Sequence, residues 1–182
     1  MNEAYLKAGR NSESDECFTP RYVVEPIVKY LKAKNFKTVW CPFDDSTSQY
    51  ARVLYREGFD VRIGHLNMGL DFFKYDCPEA DVIVTNPAFS IKHKVIKRLY
   101  ELNKPFAILL PSAALQSKQV TPLYIKYGLE YLGFDSRPCF YTENDFTQIK
   151  TANHFASGYF CRNVLPEKLI FEELKLIQEP YL

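Results

Sequence analysis

The chain has 182 residues, 47% of them hydrophobic and 15% aromatic, which excludes a disordered protein and indicates one domain with a sizeable core. The formal net charge of +1 excludes nucleic-acid binding through overall charge, so any basic surface must be local. Five widely spaced cysteines without a Cys-x-x-Cys pair argue against a zinc site or a disulfide framework, and without a signal peptide or membrane-spanning run we expect a cytoplasmic protein.

The beginning of the chain is polar and charged, so residues 1–16 are predicted to form a flexible N-terminal arm. Residues 17–182 contain no repeat or linker and are predicted to form a single domain. Thr19 and Pro20 are typical of a helix start, with Thr19 as the N-cap, and an apolar stripe at helical spacing follows. Pro26 lies inside that stripe and is predicted to kink the helix or to delay its start.

Helical patterns then alternate with short apolar runs that predict strands. A capping box of Ser46 and Gln49 opens one predicted helix, Ser90 is the predicted cap of the next, and Thr121 opens a third. The strands are predicted at residues 38–41, 61–63, 70–73, 81–85 and 106–110. The alternation predicts a three-layer α/β domain with a mostly parallel sheet, closed by an antiparallel hairpin of two late strands at 129–134 and 155–161.

The ends of the predicted strands locate the expected site, because ligands of such folds bind at the carboxyl ends of the strands where the strand order reverses. Four groups of residues fall there, at positions 41–45, 64–65, 71–72 and 86–89. This placement depends only on the predicted elements.

The most informative of these groups is Asn86-Pro87-Ala88-Phe89. The Asn86 side-chain oxygen and the Pro87 carbonyl can accept both hydrogens of an amine on a planar ring such as adenine, and Phe89 can stack on the ring. Such acceptors favour a more nucleophilic nitrogen. The alternative interpretation is an ordinary Asn-Pro turn after a strand.

In order and spacing, the chain resembles N6-adenine DNA methyltransferases with the Asp/Asn-Pro-Pro-Tyr/Phe motif, above all the small phage-type members. The similarity extends over residues 17–165 and rests on segments 17–20, 40–44, 69–73, 86–89 and 106–111. The resemblance implies a Rossmann-like methyltransferase fold and transfer of a methyl group from S-adenosylmethionine to adenine in DNA, without a metal, in a bacterial or phage-infected cell.

The same resemblance implies roles for individual residues. Asn86, Pro87 and Phe89 would be catalytic. The implied cofactor pocket is lined by Thr19, Pro42, Phe43, Asp44, His65, Asp71 and Phe72. Two alternatives stay open here: Asp71 is also interpretable as a loop acid, and Asp44 or Asp45 as an acid at a helix start.

Several positions depart from the family pattern. Cys41 stands where an aspartate is usual, residues 44–46 replace a glycine-rich turn, His65 replaces an acid that holds ribose, and Ala88 replaces the second proline. These departures leave two further hypotheses. One is a non-catalytic relative that binds cofactor or DNA, and the other is a methyltransferase acting on RNA or on a protein glutamine.

Basic residues follow the tetrapeptide and are predicted to contact DNA phosphates, although a solvated helix face is the alternative. They are Lys92, Lys94, Lys97, Arg98 and, in a later loop, Lys118. Phe140 is interpreted as core and Tyr141 is left open as a second stacking surface. No separate target-recognition domain is expected, so specificity is assigned to loops 112–120 and 142–153, or to a second subunit or homo-oligomer.

Overall fold

The structure is a computed structural model that describes residues 17–142, 145–150 and 155–177. Its strands are β1 (Cys17–Phe18), β2 (Thr38–Cys41), β3 (Asp60–Ile63), β4 (Val82–Thr85), β5 (Phe106–Pro111), β6 (Glu130–Phe134), β7 (Phe140–Thr142), β8 (Asp145–Lys150), β9 (Ser157–Arg162) and β10 (Leu169–Glu172). Its α-helices are α1 (Arg21–Ala33), α2 (Gln49–Arg56), α3 (Lys92–Leu102) and α4 (Thr121–Tyr127).

Within these residues, seven strands form one sheet in the order β10-β6-β9-β5-β4-β2-β3. Strand β9 runs antiparallel to β5 and β6, and the other neighbouring pairs are parallel. The mostly parallel α/β fold and the antiparallel pairing of the two late strands are therefore confirmed. The strand order reverses between β2 and β4. After β2 the chain forms β3 on one side of β2, and it then crosses to form β4 on the other side.

The two faces of the sheet carry separate apolar clusters. On β4, Val82 and Val84 pack in the cluster that contains the buried side chains of α1 and α2. Ile83 points to the opposite face and packs in the cluster that contains the buried side chains of α3. Since successive side chains of a strand alternate between faces, this pattern confirms the predicted three layers. No helix in the described part of the chain is long and apolar enough to cross a membrane.

The predicted start of the first helix is wrong by one position. Helix α1 begins at Arg21, its N-cap is Pro20, and no side chain caps it. Thr19 is buried, and its hydroxyl is a partner of Asn86 instead. Pro26 lies within the helix and does not delay its start.

Two other predicted caps are also wrong. Helix α2 is capped by Ser48, whose side chain accepts a hydrogen bond from Ala51 N at 3.1 Å, and not by Ser46. Helix α2 starts later than predicted because residues 45–47 form a separate turn. In this turn Asp45 accepts hydrogen bonds from the amide and the hydroxyl of Thr47, at 2.8 and 2.6 Å. Ser90 lies in a 3₁₀ turn that precedes α3 rather than at its N-cap.

The strand predicted at residues 70–73 is a turn in the structure. The Asp71 carboxylate accepts a hydrogen bond from Phe73 N at 3.0 Å, which is the local bond that favours a turn over a strand. The small sheet of β1, β7 and β8, and the edge strand β10, were not predicted.

Glu130, the first residue of β6, holds the segment that leaves β9. Its carboxylate accepts hydrogen bonds from the backbone amides of Asn163, Val164 and Leu165, at 2.9, 2.9 and 2.8 Å. Hydrogen bonds to a charged acceptor are stronger than neutral ones, so this side chain fixes the connection from β9 to β10.

Substitution Glu130→Gln is expected to destabilise the protein by about 2 kcal/mol, because an amide nitrogen would then face a backbone N–H donor. Urea denaturation measures the change in the free energy of unfolding. Glu173→Gln, which changes an exposed glutamate, is the matched control and is expected to have no comparable effect. Equal stability of the two variants would contradict the role of Glu130.

Candidate functional site

The turn after β2 is bound to the ends of two neighbouring strands. Asp44 is buried, and its Oδ2 accepts a hydrogen bond from the Thr85 hydroxyl at the end of β4, at 2.7 Å. Asp44 also forms an isolated bridge with Gly64, just after β3. Two of the four predicted strand-end groups therefore meet here, and Thr85 ties them directly to the start of the tetrapeptide.

Asp44 has the electrostatic properties of a buried acid. Burial raises its pKa from 3.8 to about 6, although hydrogen bonds from Thr85 and Ser48 act in the opposite direction. Its neighbour Asp45 is exposed, and the hydrogen bond from Thr47 lowers its pKa. The two acids are thus distinguished by environment, and Asp44 is the one that would gain most from a cationic partner.

The tetrapeptide is bound to the segment that precedes α1. Asn86 Nδ2 donates a hydrogen bond to Thr19 Oγ1 at 3.0 Å, and Thr19 is 4% exposed. Residues separated by 67 positions are therefore in contact at the edge where the strand order reverses. Asn86 Oδ1 and Pro87 are also buried.

The two aromatic residues predicted to line the cofactor pocket, Phe43 and Phe72, differ in burial. The Phe72 ring is 2% exposed and packs 5.5 Å from Trp40 and 5.0 Å from Phe43, measured between centroids. Phe43 is half-buried, and Pro42 beside it is buried. Phe72 is thus a core residue behind Phe43, and Phe43 is the ring that retains an accessible surface.

The side chains of His65 and Asp71 both have local partners. His65 Nδ1 accepts a hydrogen bond from Asn67 N at 3.2 Å, so a neutral imidazole carries its proton on Nε2 and can only donate there. The Asp71 carboxylate bonds Phe73 N and lies 3.4 Å from Lys74 Nζ, as expected of a loop acid.

Phe89 lies in the 3₁₀ turn Phe89–Ile91 and contacts Phe155 edge-on, with a centroid separation of 5.4 Å. Phe155 in turn stacks against Phe140 at 6.5 Å. Phe140 is buried in the core as predicted, and Tyr141 is buried with it. Of the predicted loop 142–153, residues 145–150 form β8, and positions 143–144 and 151–154 lie outside the described residues.

The basic residues of α3 do not share one face. Lys94 and Lys97 are exposed, and Arg98 is half-buried, 3.8 Å from Glu101. Lys92 turns back instead, and its Nζ donates to the Phe89 carbonyl at 3.0 Å. Lys118 is exposed in the loop between β5 and α4.

The sequence analysis missed a pair of buried hydroxyl groups in the core. Tyr50 and Tyr159 are fully enclosed, their hydroxyl oxygens lie 2.9 Å apart, and Tyr159 donates to the Val23 carbonyl at 3.1 Å. The hydroxyl group of a tyrosine gives no separate signal in helical periodicity, because the ring is counted as apolar.

Comparison with known proteins adds little beyond the architecture. No protein-family model and no curated protein matches the chain. One solved structure, a predicted O-methyltransferase from Agrobacterium tumefaciens, is 9% identical with a TM-score of 0.32. The match covers 75% of this chain and 66% of that chain, slightly less than two thirds of its length. Neither activity nor substrate follows from a similarity of this level.

The raised pKa of Asp44 predicts how stability depends on pH. A group whose pKa is raised by folding contributes stability that is fully present below about pH 4 and is lost as the pH rises through about 6. Asp44→Asn is expected to remove this loss. Between pH 4 and pH 7, the free energy of unfolding of the variant should therefore rise by up to about 3 kcal/mol relative to that of the parent. Urea denaturation at both pH values provides the measurement.

Asp45→Asn is the matched control, because the pKa of Asp45 is lowered and its contribution is lost as the pH falls. The control should therefore lose stability relative to the parent at neutral pH. If the free energies of unfolding of Asp44→Asn and the parent differ by the same amount at every pH, then folding does not raise the pKa of Asp44.

Proposed function

We propose that the protein transfers a methyl group from S-adenosylmethionine to the N6 amine of adenine in DNA. The observation that carries this proposal is the hydrogen bond between Asn86 and Thr19. This bond joins two segments where the strand order reverses. The resemblance assigns residues 86–89 to the substrate base and Thr19 to the cofactor pocket. A ligand-binding edge of this kind is the usual place for such a pair of sites.

The cofactor would lie against the turn after β2. When bound, S-adenosylmethionine supplies a methyl group on a positively charged sulfur. Asp44 would receive the ammonium group, since a positive charge stabilises the ionised form of this buried acid. Phe43 would cover the adenine ring of the cofactor, and His65 Nε2 would donate to a ribose hydroxyl.

The base would lie against the tetrapeptide. Asn86 Oδ1 and the Pro87 carbonyl would accept the two amine hydrogens, and they would stabilise the positive charge that develops on nitrogen as the carbon–nitrogen bond forms. Bound S-adenosylmethionine would supply the methyl group from a sulfonium whose sulfur keeps the bonding electron pair, and the amine held by Asn86 and Pro87 would release one proton to solvent. Because Asn86 Oδ1 is shielded in this structure, the base reaches it only after the groups covering it move.

Calorimetric titration with S-adenosylmethionine and S-adenosylhomocysteine tests the cofactor, and radiolabelled transfer to unmodified DNA tests the substrate. Micromolar binding and labelled N6-methyladenine support the proposal. Binding without transfer to any substrate supports a non-catalytic relative. Transfer to RNA or to a protein glutamine, but not to DNA, reassigns the substrate. Absence of binding to the folded protein overturns the proposal.

Asn86→Ala is expected to abolish methyl transfer, because the substitution removes an acceptor for the base. The cofactor affinity should stay within about tenfold, because on the cofactor side the substitution removes the hydrogen bond to Thr19 and leaves Phe43 and Asp44 unchanged. Single-turnover transfer and calorimetry on the same preparation separate these quantities. Asn67→Ala removes the side-chain amide of an exposed residue and should retain transfer. Undiminished turnover in Asn86→Ala would remove the central catalytic assignment.

DNA affinity is expected to depend on the exposed cations of α3. The double substitution Lys94→Ala, Lys97→Ala should weaken DNA binding and reduce by about 2 the slope of the logarithm of the binding constant against the logarithm of salt concentration. Fluorescence anisotropy over a salt series measures both effects. Lys34→Ala, Lys175→Ala removes the same charge at exposed positions elsewhere, and an identical loss in that control would assign the effect to net charge alone.

A further inference from the structure

The two edges of the main sheet differ in the side chains that they expose. Within the described residues, β3 forms one edge and β10 forms the other. The exposed side chains of β3 are Asp60 and Arg62, which form a salt bridge at 2.8 Å. Those of β10 are Leu169 and Phe171, which are 57% and 65% exposed. Charged side chains protect an edge strand against pairing with another chain, and neither exposed side chain of β10 is charged.

The backbone of β10 also has groups that point away from the sheet. The Lys168 carbonyl, just before β10, accepts a hydrogen bond from Tyr131 N of β6 at 2.8 Å, and the two strands run in parallel from there. Because alternate residues of a strand direct their backbone groups to opposite edges, the N–H and C=O groups of Leu169 and Phe171 point outward. No strand in the part of the chain that the structure describes pairs with this outer edge.

The Phe171 ring packs against the neighbouring strand. Phe171 is in register with Gly133 of β6, and the position that a β-carbon at residue 133 would take is only 2.6 Å from the ring. The ring therefore lies over the glycine backbone, on the same face of the sheet as Leu169. The exposed surface of the ring and the outward backbone groups together form an apolar edge that can receive another strand.

We propose that the protein forms a symmetric homodimer in which β10 pairs in antiparallel orientation with β10 of a second copy. A two-fold axis requires that the same surface complement itself. In an antiparallel ladder, two opposite residues exchange both N–H···O bonds only when both direct their backbone groups to the shared edge. The register in which Leu169 lies opposite Phe171 of the second copy meets this condition, and the two-fold axis repeats the pair.

Charge selects this register among those that the backbone allows. In the proposed register, Lys168 lies opposite Glu172 of the second copy, and opposite charges on facing residues stabilise a strand pair. The outward residues also stay opposite one another if the register shifts by two residues. That shift would place Lys168 opposite Ile170 or Leu174, which are both apolar. The charged pair is therefore specific to the proposed register.

The same register brings the exposed apolar side chains together. Leu169 and Phe171 lie on one face of their strand, so each packs beside its opposite apolar residue from the second copy. The pairing involves only the four residues of β10 and their flanks, which is a small interface. We therefore expect the dimer to dissociate at roughly micromolar concentrations.

The two candidate sites of such a dimer lie far apart in function as well as in space. Strand β10 is parallel to β6, and β9 is antiparallel to both β6 and β5, so β10 has the same direction as β4 and β2. The two-fold axis reverses the second sheet, so the carboxyl ends of β4 in the two copies lie at opposite ends of the strands in the combined sheet. The second copy therefore contributes no residue to the candidate site, and the inference does not depend on the proposed function.

Sedimentation velocity over micromolar to submillimolar protein concentrations tests the dimer. The double substitution Leu169→Lys, Phe171→Lys should raise the dissociation constant by about tenfold or more, because it removes both apolar pairs and places like charges at the edge. The control Tyr55→Lys, Met68→Lys adds the same charge at two exposed apolar positions in α2 and after β3, and it should dimerise like the parent. A parent that stays monomeric, or equal dissociation constants for the two variants, would overturn the proposal.

Cysteine cross-linking tests the register and requires no loss of the dimer. Ile170 would lie opposite Ile170 of the second copy in a non-hydrogen-bonded pair, with Cα atoms about 4.5 Å apart, which suits a disulfide. The two Leu169 residues would be diagonal neighbours about 8 Å apart, which is too far. Under mild oxidation, Ile170→Cys should therefore form a covalent dimer at least roughly tenfold faster than Leu169→Cys.

Mass spectrometry of the linked peptides locates the new disulfide and distinguishes it from any bond of the native cysteines. Faster linkage through residue 170 supports the proposed pairing. Equal or reversed rates, or no linkage of either variant, would contradict it.

Discussion

The hydrogen bond from Asn86 to Thr19 is the contact on which the candidate site depends. It joins the end of β4 to the segment before α1, and the bond from Thr85 to Asp44 joins the same strand end to the turn after β2. The reversal of strand order makes these contacts possible, since it places the carboxyl ends of β2 and β4 side by side. The four side chains therefore owe their proximity to the sheet topology.

The apolar core of this molecule contains a polar contact of its own. Tyr50 belongs to α2 and Tyr159 to β9, and both pack in the apolar cluster on the α1 side of the sheet. Their hydroxyl groups are hydrogen-bonded to each other, and Tyr159 donates to the Val23 carbonyl of α1. A buried polar contact that is hydrogen-bonded specifies one arrangement of its members, so these bonds fix α2 and β9 relative to α1.

The sequence predicted six of the seven strands of the main sheet and missed β10, because short apolar runs between helical patterns report burial. Two predicted helix caps were wrong because other contacts compete with them: Thr19 accepts a hydrogen bond from Asn86, and Asp45 forms a turn with Thr47 before α2. The strand predicted at residues 70–73 was wrong because the Asp71 side chain forms a local turn. The roles of Tyr50 and Tyr159 were invisible to periodicity, because hydropathy counts the ring and not the hydroxyl.

Asp44 determines how this edge of the sheet can hold a ligand. A glycine turn offers backbone amides to an anion or lets the backbone approach closely. Asp44 instead offers a buried carboxylate that accepts a hydrogen bond from Thr85 and whose ionisation is opposed by burial. A cation is the ligand charge that relieves this cost, whereas an anion would increase it. The turn after β2 therefore favours a positive charge beside Asp44, which the ammonium group of the proposed cofactor would provide.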